Sequence, residues 1–250
     1  MAALFITGTG TDIGKTWLAC ALLRHWRAAG RRPLAFKPLL SGFDSSLPEA
    51  SDAGQILAAL GRDMSELDAI APWRFKAPLS PNMAAALEGK AIDFDALVDY
   101  TRRVADADSC PTLIEGVGGV MAPLTDRRTV RDWIAASGLP CVLVAGSYLG
   151  SLSHTLTALE ALTKVGVAVK AIVVNESAGS AVALDAVIEN LMCHAPGIAV
   201  HGIPRAAAGS SVARLADWLL SGQPVGGDQE PGEREGLPDG GETSFSLRSH

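Results

Sequence analysis

The stretch Gly8-Thr9-Gly10-Thr11-Asp12-Ile13-Gly14-Lys15-Thr16, GTGTDIGKT, decides how the rest of the chain is read. It has the glycines, lysine and hydroxyl residue of a phosphate-binding loop. Its spacing differs, because five residues separate Gly8 from Gly14 where the usual pattern has four. The flanks argue that the loop is real. Ala3 to Thr7 is a short apolar run of the kind a buried parallel strand shows. Beyond Lys15, the residues Leu18, Ala21, Leu22 and Trp26 recur at helical spacing, and Gly30 supplies a stop. Strand, glycine loop and helix in that order aim backbone N–H groups and the positive end of a helix at phosphate oxygens. Lys15 would then contact the β- and γ-phosphates, and the Thr16 hydroxyl would ligate Mg²⁺. The alternative is a tight turn that merely needs glycine, and it does not account for Gly-Lys-Thr opening a helix.

The 250 residues fit one large α/β domain or two small ones. A hydrophobic fraction of 48% with 19% charged residues is that of a globular chain with a sizeable core. No apolar run approaches the ~18 residues needed to cross a bilayer, and no basic segment precedes the first apolar residues as in a secretory signal. Cys20, Cys110, Cys141 and Cys193 lack the close pairing of a zinc site. Buried, reduced thiols in a cytoplasmic protein are the expectation. Of the net charge of −6, residues 221–250 carry −4, from six acidic side chains against Arg234 and Arg248, so the remainder carries −2. That body has no basic stripe, which argues against nucleic acid as a partner. The stretch 221–250 is rich in Gly, Pro and acidic residues without apolar periodicity, and is expected to be a disordered tail. Residues 1–220 read as one domain.

Within that domain apolar runs alternate with helical patterns. Strands are expected at Pro33 to Phe36, Thr112 to Ile114, Cys141 to Ala145, Val169 to Val174 and Ile198 to Ile203. Helices are expected at Ser80 to Leu87, capped by Ser80 with Pro81 in the first turn, and at Phe94 to Ala107, Leu152 to Val165 and Val182 to Cys193. The alternation predicts a single-domain α/β fold, with a mostly parallel sheet and helices on both faces. Ligands of such sheets bind at the carboxyl ends of the strands. The residues there are Lys37 and Ser41 in FKPLLSG, Glu115 to Gly119 in IEGVGG, and Asn175-Glu176 after AIVV. An acidic residue after a strand, as Glu115 is, commonly serves Mg²⁺ in nucleotide hydrolases. Lys37 could be a solvated lysine, but it is held between Phe36 and Pro38 at a strand end. Asp52 in SDAGQIL could equally cap the helix that starts there. His25 and His154 read as structural. Asn175-Glu176-Ser177-Ala178 stands where an Asn-Lys-x-Asp guanine-reading motif would lie, so ATP is favoured over GTP.

Taken together, GTGTDIGKT, FKPLLSG, SDA, PLSPNMAA, IEGVGGVMAPLTD and VVNE, in this order across residues 4 to 206, resemble the dethiobiotin synthetase family. The five-residue loop interval is that family's own. The resemblance implies a P-loop NTPase-type fold and a homodimer with its site at the subunit interface. It also implies an ATP- and Mg²⁺-dependent cyclo-ligase acting on 7,8-diaminopelargonic acid and CO₂. One amine captures CO₂ as a carbamate, the γ-phosphate moves to the carbamate oxygen, and the second amine closes a cyclic urea with loss of phosphate. By position, Thr16, Asp52 and Glu115 would hold the metal, Lys15 and Lys37 would be catalytic, and Thr11, Ser41 and Gly118 would face the substrate. The implied ATP site comprises Asp12, Ile13, Gly14, Lys15, Thr16, Trp17, Asp52, Glu115, Gly116, Val117, Gly118, Asn175, Glu176, Pro204, Arg205 and Ala206. The chain departs from the family in having Asp12 where Glu is usual, and Tyr148-Leu149-Gly150-Ser151-Leu152-Ser153-His154 where Gly-Thr/Cys-Ile-Asn-His is commoner. Two rivals remain at the level of sequence: a nucleotide-switched regulatory ATPase, and an amidoligase on the same fold. The second would need a glutamine-hydrolysing domain, for which the length leaves no room.

Overall fold

A computed structural model describes residues 3–106 and 110–221. In chain order the elements are β1 (Leu4–Gly8), α1 (Lys15–Ala28), β2 (Leu34–Phe36), β3 (Leu39–Ser41), α2 (Asp52–Leu60), α3 (Leu67–Ile70), β4 (Trp73–Phe75), α4 (Pro81–Leu87) and α5 (Phe94–Ala105). They continue with β5 (Thr112–Glu115), α6 (Val130–Ser137), β6 (Cys141–Gly146), α7 (Ser151–Thr163), β7 (Val169–Asn175), α8 (Leu184–His194), β8 (Ala199–Ile203) and α9 (Ala208–Ser221). Six strands form one parallel sheet in the order β2-β5-β1-β6-β7-β8. The expected α/β architecture is therefore the one observed.

Strand residues alternate between the two faces, because successive side chains of a strand point to opposite sides. Leu4 and Ile6 of β1 enter the core beneath α1, α2 and α9, whereas Phe5 enters the core beneath α5 to α8. Val142 and Val144 of β6 join the first core, and Cys141 and Leu143 the second. Each core is anchored by a fully buried tryptophan. Trp26 donates its indole N–H to the Ala216 carbonyl at 3.2 Å, and Trp133 donates to Thr101 Oγ1 at 2.9 Å while meeting Phe5 edge-on. Truncating either to alanine would cost about 3–5 kcal/mol.

Several features lie outside the sequence expectations. β3 and β4 pair as a small separate parallel sheet, and strands of three residues are too short for alternation to register. α9 carries Val212, Leu215, Ala216 and Leu219 at helical spacing and buries all four, a legible signal absent from the expected helices, as is α6. Ser80 stands at the N-cap position of α4 with Pro81 behind it, but its hydroxyl donates to Asn82 Oδ1 at 2.8 Å rather than capping the backbone. Of the four thiols, Cys20 and Cys141 are buried, Cys110 is intermediate and Cys193 is exposed on α8, so the expectation of buried thiols holds for two. The proposed tail falls outside the described residues apart from Ser221, which ends α9, and so does Ala107.

Candidate active site

The carboxyl ends of β1, β2, β5, β7 and β8 come together around the loop of residues 9–14. Two left-handed residues shape that loop. Asp12 has φ +57°, the sole non-glycine residue with positive φ among those described, and Gly14 has φ +88°. A side chain at Gly14 would be strained in that region, and its Cβ would lie 2.6 Å from Asn175 Nδ2. At the loop's far side, a Cβ on Gly119 would meet the Thr9 carbonyl at 2.9 Å, so the glycine-rich turn after β5 packs directly on the loop backbone. Gly14 is the N-cap of α1, and the first helical hydrogen bond runs from Leu18 N–H to its carbonyl. The N–H groups of Lys15, Thr16 and Trp17 precede that bond, and no carboxylate occupies the first turn of α1. This is an anion-binding end of a helix.

Four charged groups and a hydroxyl converge beside it. Lys37 continues from β2 and is 2% exposed; Glu115 ends β5 and is 1% exposed. The Lys37 ammonium donates to Glu115 Oε1 at 2.6 Å and to the Gly116 carbonyl at 2.8 Å, and lies 2.9 Å from Asp52 Oδ2. The Thr16 hydroxyl donates to the same Glu115 Oε1 at 2.6 Å. Lys15 is turned inward onto the Gly10 carbonyl at 2.6 Å. Burial, followed by repulsion from Lys37, brings its pKa down to about 8 against the opposing pull of Glu115 and Asp52. Burial alone would lower the pKa of Lys37 as well, but the Glu115 and Asp52 carboxylates outweigh it and hold the ammonium above its ordinary range. Desolvation of Asp52 is likewise outweighed by Lys37, which holds that carboxyl below its usual range. Asp52 is the first residue of α2 rather than its cap. That position belongs to Ser51, whose Oγ accepts from Gly54 N–H at 3.1 Å.

Two cavities of about 870 Å³ each open on either side of the loop and share Gly10, Thr11, Asp12, Gly14 and Trp17. One reaches toward β7 and β8 and is lined by Ile13, Tyr148, Asn175, Glu176, Ile203 and Arg205, among others. Asn175 Nδ2 donates to the Ile13 carbonyl at 2.8 Å, while its buried Oδ1 has no partner. Glu176 accepts from Arg205 N–H at 2.6 Å, tying the turn after β8 to the end of β7. The other cavity holds Lys15, Thr16, Lys37, Ser41 and Asp52, with Leu79, Ser80, Gly118 and Met121 on its far side. The hydroxyl oxygens of Thr9 and Ser41 are buried there without partners.

The family follows from comparison with known proteins. A family model described as an AAA domain matches residues 2–204. The ATP-dependent dethiobiotin synthetase BioD of Caulobacter sp. (strain K31) is 48% identical over 222 residues, covering 88% of this chain and 95% of the relative. The protein of the same name from Acidiphilium cryptum (strain JF-5) is 47% identical over 197 residues, covering 78% of this chain and 88% of the relative. The chain belongs to the dethiobiotin synthetase family. Among solved structures, the septum site-determining protein MinD complexed with Mg-ADP from Pyrococcus horikoshii OT3 aligns with a TM-score of 0.55 at 14% identity, over 88% of this chain and 98% of that one. The hydrogenase maturation factor HypB of Archaeoglobus fulgidus gives 0.54 at 15%, over 88% of this chain and 89% of that one. At such identities the likeness is one of fold, and it is the P-loop NTPase fold.

Most residues that the family resemblance singles out fall in this region, but not all line a cavity. Asp12, Ile13, Gly14, Trp17, Asn175, Glu176 and Arg205 line the first; Thr11, Lys15, Thr16, Lys37, Ser41, Asp52, Val117 and Gly118 line the second. Glu115 and Gly116 are buried behind the second cavity, where they hold Lys37. Pro204 and Ala206 flank Arg205 without lining either cavity. Tyr148, Ser177 and Ile203 are cavity residues that sequence reasoning does not single out. Tyr148 is set in place by a 2.9 Å hydrogen bond between its hydroxyl and His154 Nδ1. Ser177 and Ser147 exchange bonds of 3.0 and 2.9 Å that join the ends of β6 and β7. No local motif announces either pairing. His25, the other histidine read as structural, pairs with Asp217 on α9.

Proposed function

We propose that the chain joins 7,8-diaminopelargonic acid and CO₂ in an ATP-dependent ring closure that yields dethiobiotin, ADP and phosphate. The observation that carries this reading is the placement of Lys15, Thr16, Lys37, Asp52 and Glu115 at the junction of two cavities divided by a phosphate-type loop. A donor needs a site for its phosphates, an acceptor needs an anchored cavity, and phosphoryl transfer between two anions needs cations at the contact. The first cavity suits the nucleoside, with the free Asn175 Oδ1 available to accept from an exocyclic amine such as adenine's. The second suits the diamine, with Thr11, Ser41 and the Gly118 backbone on its walls.

The donor set fits Mg²⁺. A hydroxyl and two carboxylates are hard oxygen ligands, and an ion that keeps several waters and takes phosphate oxygens needs few from the protein. Glu115 Oε2 is buried without a partner, as expected of a ligand oxygen kept free. Thr16, Asp52 and Glu115 would hold the ion, which when bound offsets phosphate charge.

The chain's own groups then divide the work. The N–H groups of residues 14–17 and Lys15 hold the β- and γ-phosphates. One amine of the substrate adds to CO₂ and loses a proton to give the carbamate. The γ-phosphoryl group passes to a carbamate oxygen, leaving ADP, while Lys37 screens the charge between the two anions. The second amine attacks the carbonyl carbon, the cyclic urea closes, and phosphate leaves. The exposed Leu79 and Met121 on the wall of the substrate cavity support a homodimer that covers its mouth. No helix among the described residues is long and apolar enough to cross a membrane.

Incubation with diaminopelargonate, bicarbonate, Mg²⁺ and ATP should give dethiobiotin, ADP and phosphate in equal amounts. ATP turnover that proceeds equally without the diamine, with no dethiobiotin formed, would sink the reading and leave a regulatory ATPase in its place.

A further inference from the structure

The three groups assigned to the metal do not surround an open space. The two carboxylates among them close on an ammonium. A lysine has three donor directions, and those of Lys37 are directed at Glu115 Oε1 (2.6 Å), the Gly116 carbonyl (2.8 Å) and Asp52 Oδ2 (2.9 Å). The Thr16 hydroxyl joins on the same Glu115 Oε1 at 2.6 Å. The second lysine of the site is turned away, onto the Gly10 carbonyl at 2.6 Å. Lys37 is thus the group that directly neutralises the Asp52 and Glu115 carboxylates, at 2% exposure and beside a glutamate at 1%. A buried carboxylate stripped of its partner is strongly disfavoured.

We infer that Lys37 is the resident cation of the metal site in the nucleotide-free protein, and that Mg²⁺ gains the site only together with the nucleotide, whose phosphates receive the displaced ammonium. This rests on the assignment of Thr16, Asp52 and Glu115 under the proposed function and adds an order to it. A divalent ion arriving alone would either sit against the Lys37 charge or displace that ammonium into the cavity beside Lys15 without a counter-ion. Mg²⁺ also gives up its waters reluctantly, and two carboxylates already engaged by an ammonium offer little in exchange. A triphosphate changes the balance, because it brings several negative charges to the helix end beside Lys37. The same movement would carry the ammonium from the metal ligands to the γ-phosphate, where the reaction needs it.

The test uses the full chain with Mg²⁺ or Mn²⁺ as the sole additions, without nucleotide or substrate. Wild type should show no rise in melting temperature with millimolar Mg²⁺ and no bound Mn²⁺ by electron paramagnetic resonance. Lys37→Gln and Lys37→Met should each acquire one site, with a rise of about 3–6 °C at ten times the dissociation constant. Adding Asp52→Asn to Lys37→Gln should abolish that rise. Stoichiometric Mn²⁺ on nucleotide-free wild type would overturn the inference, whether or not the variants fold. So would folded Lys37 variants that gain no metal site, or a rise that survives Asp52→Asn. Dethiobiotin formation by wild type judges the proposed function separately, since none of these titrations depends on catalysis.

Discussion

Gly14→Ala should destabilise the protein in part through a residue 161 positions away in the chain. Gly14 sits at φ +88°, where an alanine is strained by about 1–2 kcal/mol. Its new Cβ would also stand 2.6 Å from Asn175 Nδ2. Asn175 must then move, giving up its 2.8 Å bond to the Ile13 carbonyl, at a net cost of about 1 kcal/mol. The two contributions put Gly14→Ala at about 2–3 kcal/mol, and Asn175→Ala alone, which loses only the hydrogen bond, at about 1 kcal/mol. In the double variant the clash is gone and the bond is already lost, so the total should stay near 2–3 kcal/mol rather than the sum of about 3–4 kcal/mol. Urea unfolding of the four proteins, compared at a shared slope, measures the cycle. If the double variant costs the sum of the singles to within about 0.5 kcal/mol, the glycine does not act through Asn175, and the requirement is backbone strain alone.

Lys37→Met should lower turnover by about 10²–10³-fold while weakening ATP binding less, since Lys15 and the loop N–H groups remain; near-normal turnover would remove Lys37 from the reaction. Ending the chain after Ser221 keeps both cores and both cavities, so turnover should be unchanged and the melting temperature should shift by no more than about 2 °C. A large loss would place residues 222–250 at the site or a subunit contact. His201 packs at a tilt against Trp218 with ring centroids 4.8 Å apart, its Nε2 has no partner, and burial holds its pKa below the ordinary value. The fold therefore prefers the neutral ring. Stability should be full above about pH 6.5, where the unfolded histidine is also neutral, and should fall as the pH drops below that value. His201→Phe should flatten the decline in melting temperature between pH 7.5 and 5.5, and an unchanged slope would show that another group causes it.

The sequence by itself determined the strand–loop–helix at residues 4–28, the parallel sheet and the catalogue of polar residues at its strand ends. These are local or periodic properties. Gly14-Lys15-Thr16 after an apolar strand constrains the backbone within one turn of helix, and runs such as Val142 to Ala145 can be buried only between two helical layers. Expectations for Glu115 and Asn175, drawn from their strand ends and from family resemblance, named residues beside the loop without giving their contacts. The tertiary structure decided those. At Asp52 the cap belongs to Ser51, and the contact with Lys37 depends on that lysine arriving from β2. The small sheet of β3 and β4 joins strands of three residues each, and the serine pair 147/177 joins segments 30 residues apart. Pairings of this kind carry no local periodicity, because each partner is specified by where the sheet delivers the other. The same holds for the Lys37 ammonium. A lysine at a strand end reads as facing solvent or phosphate, and only the register of β2 against β5, with Phe36 opposite Ile114, carries it onto Glu115 and buries it there.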